Sequence, residues 1–201
     1  MTSILLNSLR ILTPIALLLV TACSNVQNKM DESALSDFSA NKTIRQWKIS
    51  GKVGIRDKQQ SGSAYLNWQQ CGDNFDIRIQ GLFGAGAAHL YGDNNHTTLK
   101  RAGESAVETR NTEHLLSEIG LPIPVDELFH WIRGLPEPNQ HYSINPTHTG
   151  FQQSGWTLLY PQITSLDNHI LPRKAIAVKR DLKLTLLLKR WDLQPECKAS
   201  R

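Results

Sequence analysis

The chain is poor in the residues and spacings that build reactive centres. Its 201 residues include three cysteines, and no two of them form a CxxC pair. HExxH, GxSxG and GxxxxGK[ST] are all missing, so no zinc-protease helix, serine elbow or phosphate-cradling loop is offered. The histidines at 89, 96, 114, 130, 141, 148 and 169 are dispersed, with no pair at i,i+4 spacing. No cofactor, metal or catalytic residue is therefore expected. There is also no run of five Lys/Arg: the 22 basic and 18 acidic residues are spread out, giving a net charge of +4. That pattern argues against nucleic acid as a partner. A modest basic excess suits an anionic surface and suits plain solubility equally. No internal repeat or low-complexity segment is present. With 40% hydrophobic and 20% charged residues, the composition is that of a globular domain with a real core.

Long apolar runs are also scarce. The stretch ILTPIALLLV covers residues 11–20, about half of the roughly 20 residues that a membrane helix needs. It follows Arg10 and leads into Val20-Thr21-Ala22-Cys23, the layout of a secretory signal peptide. The ending resembles a bacterial lipobox, in which the cysteine is acylated and becomes the first mature residue. Residues 1–22 are thus read as a lipoprotein signal peptide and Cys23 as the lipidation site. Their removal takes one Arg and no acid, leaving +3 (21 basic minus 18 acidic). Ser24-Asn25 follow, with no Asp beside the cysteine, which points to the outer membrane, facing the periplasm. Residues 23–45 read as a lipidated N-terminus and polar tether, with a short helix from Asp31 onward, packed on the domain, as an option. Residues 46–193 read as one domain and 194–201 as a polar tail. Cys71 and Cys197 lie in an oxidising compartment, and a bridge or two free thiols both fit the sequence.

Within the domain the pattern has period two. Trp47, Ile49, Val53 and Ile55 share one face of a strand, and Lys48, Ser50, Lys52 and Arg56 the other. SGSAYLNWQQ and DNFDIRIQ follow, the latter with Phe75, Ile77 and Ile79 on one face. GAGAAHLYGD, HTTLKRAG and ESAVETR are shorter, glycine-punctuated candidates. NTEHLLSEIG then reads as a short helix with a capping Asn or Thr and a stop at Gly120. LPIPVDELFHWIRGLP reads as a second, with Leu128, Trp131 and Ile132 as its stripe and Gly134 as its end. Asp126 and Glu127 sit in its first turn, where they complement the helix dipole. EPNQHYSINPTHTG reads as a loop. FQQSGWTLLYPQ reads as a hairpin turning at Ser154-Gly155, and the final pair joins at Arg180-Asp181. About nine to eleven antiparallel strands must curl, and two helices are available to cover the apolar face. The five tryptophans fall on predicted strand or helix faces, as core or as cavity lining.

Trp47-x-Ile-x-Gly-Lys-Val, SGSAYLNWQQ, FDIRIQGLFGAGAAHLYGD, LPIPVDELFHWIRGLP and LLLKRWDL, in that order, resemble the LolB family of outer-membrane lipoprotein receptors. The most specific stretch runs from Pro122 to Pro136, and the resemblance extends from the lipobox to about Leu193. It implies an α+β, mainly β fold: an incomplete antiparallel β-barrel of about eleven strands with helices covering an apolar cavity. Cavity and lid candidates are Trp47, Ile49, Trp68, Ile77, Ile79, Leu128, Trp131, Ile132 and Trp156. It also implies the task of accepting triacylated lipoproteins from the periplasmic carrier LolA and inserting them into outer-membrane phospholipid, as a monomer. The tail after Leu193 and the cysteine at 71 depart from the family pattern.

QGLFGA, residues 80–85, places Leu82 and Phe83 between glycines where a strand should turn. On the residues alone, a corner folded back onto the core is the simpler reading. The resemblance favours an exposed tip, Phe83 foremost, that enters the membrane surface. Two other functions compete: a lipid-binding or outer-membrane assembly scaffold without cargo transfer, and a periplasmic hydrolase, for which no nucleophile–base cluster is found.

Overall fold

The computed structural model describes residues 38–59, 61–81, 87–118, 122–145 and 150–197. Within them are eleven strands. The first six are β1 (Gln46–Arg56), β2 (Ser61–Cys71), β3 (Asn74–Gln80), β4 (Ala87–Gly92), β5 (Thr97–Arg101) and β6 (Val107–Thr109). Helices α1 (Thr112–Glu118) and α2 (Val125–Trp131) follow. The chain then returns to the sheet as β7 (Tyr142–Ile144), β8 (Gly150–Gln153), β9 (Trp156–Leu166), β10 (His169–Lys179) and β11 (Leu182–Asp192).

All pairings are antiparallel, in the order β6-β5-β4-β3-β2-β1-β11-β10-β9-β8-β7. The first and last strands are neighbours at the centre, and the edge strands β6 and β7 are not paired to each other. The sheet is thus a barrel left open between two three-residue edges. Such short edges offer little backbone to a stray partner strand. The period-two expectation holds in β1, whose burial alternates along its whole length and puts Trp47, Ile49, Val53 and Ile55 inward. A β-bulge between Ser50 and Gly51 accommodates Lys189 as an extra residue on β11. Gly51 has to be glycine, because a Cβ there would collide with the carbonyl oxygen of Leu187.

The expected turns and caps form for the expected reasons. Ser154 and Gly155 both have positive φ, 52° and 77°, as a tight hairpin with right-handed twist requires. Arg180 takes φ 55° at the start of the β10–β11 turn. The Asn111 side chain accepts the His114 amide at 2.9 Å, capping α1. At the end of α2 the Leu135 amide donates to His130 O and the Gly134 amide to Trp131 O. Gly134, at φ 81°, supplies the left-handed residue that this ending needs.

Two features differ from the expectation. The stretch read as a loop before residue 150 contains β7, whose three side chains are all exposed and so carry no alternation. The β9–β10 hairpin continues to Leu166 and His169, past the residues read as strand. In the stretch read as a tether or a short packed helix, the chain packs from Phe38 as a 3-10 helix over Phe38–Thr43. Phe38 is fully buried, with its ring against Tyr160 and in the place a Cβ on Gly134 would take. Asn41, also buried, donates from Nδ2 to Arg133 O and Ile170 O, both at 2.7 Å. That pins the segment to both the sheet and the end of α2.

Cys71 and Cys197 form a disulfide with Cα atoms 5.7 Å apart. The register explains it. β1 sets Gln46 opposite Cys71 on one side and Lys48 opposite Asp192 on the other, so β2 and β11 end together. The chain from Asp192 needs only a short return, and Gln69 Nε2 donates to Glu196 O on the way.

Candidate functional site: an aromatic layer beneath a short helix

Helix α2 packs against the inward face of the sheet, with Phe129 against β2 and β3 and Trp131 against β8 and β9. Trp131 and Ile132 are buried, and Leu128 and Phe129 pack half-buried against the same core. On the sheet side, Trp47, Ile49, Trp68, Ile77 and Trp156 are buried, with Ile79 half-buried. Every candidate cavity or lid residue in the described segments therefore falls in one contiguous cluster. Leu82, Phe83 and Cys23 lie outside the described residues.

Ring contacts tie the layer together in two groups, one around Trp68 and Phe129 and one of Trp131 with Trp156. Trp47 and Trp68 have centroids 4.9 Å apart. Phe129 reaches between Trp68 at 5.2 Å and Phe75 at 5.4 Å. Trp131 meets Trp156 at 5.9 Å. Side chains of α2 thus occupy the space between helix and sheet. Sequence reasoning passed over Phe129. The signal was available, since Val125, Phe129 and Ile132 also recur at helical spacing.

Polar groups hold the helix down. Trp131 Nε1 donates to Gln153 Oε1 at 2.8 Å, and the same oxygen accepts the Glu137 amide at 2.9 Å. Gln153 Nε2 donates in turn to Glu137 O and Gln140 O. This buried glutamine on β8 thus ties both α2 and the segment after it to the sheet. Tyr160 Oη donates to Trp131 O at 2.8 Å, and complete burial pushes its phenol well above the usual range. Arg133 donates to Ile44 O at 2.9 Å and to Phe129 O at 3.2 Å. Neither Gln153 nor Tyr160 has a sequence signature, because each acts through residues far away in the chain.

Beside α2 opens a cleft of about 650 Å³ with Trp47 and Phe129 at its floor and a polar rim that includes Gln70, Asp126, His130 and Arg133. His130 and Arg133 are half-buried, Gln70 is buried and Asp126 is exposed, and the titrating groups respond. Asp126 is raised above the ordinary carboxyl value by burial first, then by Glu127 and Glu137. His130 is lowered by burial and then by Arg133, whose guanidinium lies 3.3 Å from His130 Nδ1. Arg133 is itself lowered by burial and by Arg45. Among the described residues no group of three His, Cys, Asp or Glu is placed to hold a metal ion.

These elements define an open antiparallel half-barrel with a helix packed over an aromatic interior. A solved structure shares this fold: a LolA superfamily protein from Nitrosomonas europaea superposes with TM-score 0.51 over 84% of this chain and 96% of its own, at 6% identity. Residues 45–191 match the family described as "Outer membrane lipoprotein LolB". The chain is 36% identical over 154 residues to the outer-membrane lipoprotein LolB of Stutzerimonas stutzeri, covering 74% of this chain and 75% of the relative. It is 32% identical over 188 residues to that of Pseudomonas aeruginosa, covering 88% and 92%. The chain belongs to the LolB family of outer-membrane lipoproteins. None of the described helices is long and apolar enough to cross a membrane.

Proposed function

We propose that this protein accepts acylated lipoproteins from the periplasmic carrier LolA beneath α2 and releases them into the inner leaflet of the outer membrane. The observation that carries the reading is the aromatic layer, a large apolar interior covered by a seven-residue helix with a polar cleft at its side. Acyl chains reach that interior once α2 swings away from Trp68 and Trp156. The bonds through Gln153, Tyr160 and Arg133 set how readily it does so.

The energetics favour a passive relay. Each methylene moved out of water is worth about 0.8 kcal/mol, so free acyl chains cost tens of kcal/mol. Cargo therefore passes through unbroken apolar contact, and about 1.4 kcal/mol of affinity difference biases each transfer tenfold. The last step needs an apolar element that enters the membrane surface. The Leu82-Phe83 corner is assigned that role, with Cys23 as the acylated anchor.

The test is transfer of an acylated reporter lipoprotein from purified carrier to this protein and then to vesicles. The expected result is uptake and delivery by the wild type, and uptake without delivery by Phe83→Glu. A wild type that takes no cargo from the carrier overturns the receptor reading and leaves a lipid-binding scaffold on the same fold.

A further inference from the structure

Lysine and arginine are scattered along the sequence, and the sheet gathers them. Adjacent strands β9, β10, β11, β1 and β2 hold nine Lys/Arg between them and one acid, Asp192. Lys48, Lys52 and Arg56 alternate with the inward residues of β1 and so face away from the core. On β11 the inward Leu184, Leu186 and Leu188 leave Lys183, Lys189 and Arg190 facing out. The register sets Arg56 directly opposite Lys183, an arrangement that does nothing for the stability of the sheet. The outward positions of the flanking strands β2 and β9 carry no charge.

Two apolar side chains stand exposed in the middle of this field. Tyr65 is 60% accessible and Leu187 37%. Both lie opposite Lys52 in register, and Lys52 Nζ sits 5.0 Å over the Tyr65 ring. Next to them, at the β-bulge, is an outward groove of about 390 Å³ that includes Lys52, Lys189 and Arg190 and no carboxylate. Gln80 lines the same groove, pairs with Tyr65, and directly precedes the Gly81-Leu82-Phe83 corner. The basic groove and the root of the apolar corner are therefore contiguous.

Cations around a groove with room for a lipid headgroup, with an aromatic ring and an aliphatic side chain at the same level, fit the boundary of a bilayer with anionic headgroups. We propose that this outer basic face of the sheet rests on anionic phospholipid, with a headgroup phosphate seated between Lys52, Lys189 and Arg190. A soluble acidic protein would match the charge, but it would not account for the continuity with the apolar corner. The proposal deepens the delivery reading and rests on it only for purpose. It fixes which side of the domain faces the membrane when the corner enters.

The test uses the mature chain from Ser24 onward, which keeps every described residue and lacks the acylated cysteine. It is sedimented with vesicles of neutral phosphatidylethanolamine–phosphatidylcholine, and with the same vesicles containing phosphatidylglycerol. The expected result is binding to the anionic vesicles that is lost toward about 1 M salt. The variant Lys52→Gln/Lys189→Glu/Arg190→Glu should bind them on the order of 100-fold more weakly, with unchanged thermal unfolding and unchanged uptake from the carrier. Equal binding to both vesicles, or unchanged binding by the variant, overturns the proposal. So does a variant that keeps vesicle binding and loses uptake, which would assign the face to an acidic protein partner. A wild type that binds anionic vesicles yet takes no cargo leaves this inference standing and removes the delivery reading alone.

Discussion

The two faces of the five central strands are made from the same stretches of chain and share almost no chemistry. The inward face of β1 and β11 is Trp47, Ile49, Val53 and Ile55 against Leu184, Leu186 and Leu188. One residue further along β1 and β11, Lys48, Arg56 and Lys189 stand among the uncharged Ser50, Gly54, Thr185 and Leu187. The difference separates two kinds of constraint. Inward positions are held by packing, where a lost side chain leaves a cavity. Outward positions contribute little to folding, and several of them repel one another. A face that gathers like charge without a structural return is explained by what it meets.

The largest expected effect tests that division directly. Trp68→Ala opens a void between Trp47 and Phe129, and unfolding free energy should fall by about 3–5 kcal/mol in a denaturant titration. Lys189→Glu with Arg190→Glu, on the other face, should shift stability by no more than about 0.5 kcal/mol. Comparable losses from both would erase the distinction between a packed face and a presented one.

A smaller effect is expected at the Cys71–Cys197 bridge, which staples the tail along the side where β2 and β11 end. It closes a separation of 126 residues, and removing it by Cys71→Ser/Cys197→Ser should cost about 2–4 kcal/mol through the unfolded chain. Because the bridge lies outside the aromatic layer, reporter uptake in the transfer assay should survive. Loss of uptake at a temperature where the variant is still folded would show that the staple shapes the interior as well.

Legibility in the sequence follows the range of the interactions. Period-two alternation in β1, the Asn111 cap, the Gly134 stop and the Ser154-Gly155 turn are set by neighbours within a few residues, and all four could be read. The inward set around Trp47, Trp68, Trp131 and Trp156 was legible as faces, and the fold showed that the faces meet. Phe38 was legible only as part of an optional short helix, being one aromatic residue in a polar stretch, and the space it fills depends on Gly134 nearly a hundred residues later. The basic face was legible only in part: Lys48, Lys52 and Arg56 could be read on one side of β1, but not what lies beside them. Its cations are interrupted by apolar residues along each strand, and β1 lies more than a hundred residues from β10 and β11. Only the pairing of β1 with β11 brings them together.

The smallest effect is expected at the cleft beside α2, where His130 and Arg133 are half-buried beside the aromatic layer. His130 has its folded value lowered, mainly by burial and then by Arg133, which outweigh Glu137 and Glu127. Its Nδ1, 3.3 Å from the Arg133 guanidinium, accepts that contact only while unprotonated. The folded protein therefore binds the His130 proton less readily than the unfolded chain. The stability this contributes is complete above the ordinary value of 6.5 and is lost as pH falls through the lower folded value. Asp126 behaves in the opposite sense. Its raised value means that its contribution is complete below 3.8 and is lost as pH rises through the folded value. Urea midpoints measured from pH 8 downward should thus decline below about pH 6.5, and His130→Gln should flatten that decline while leaving the more acidic part of the curve to Asp126. If the variant and wild type decline in parallel, the histidine is as free as an exposed one. The rim of the cleft would then belong with the outward face, and the boundary between packed and presented residues would move inward to Trp47 and Phe129.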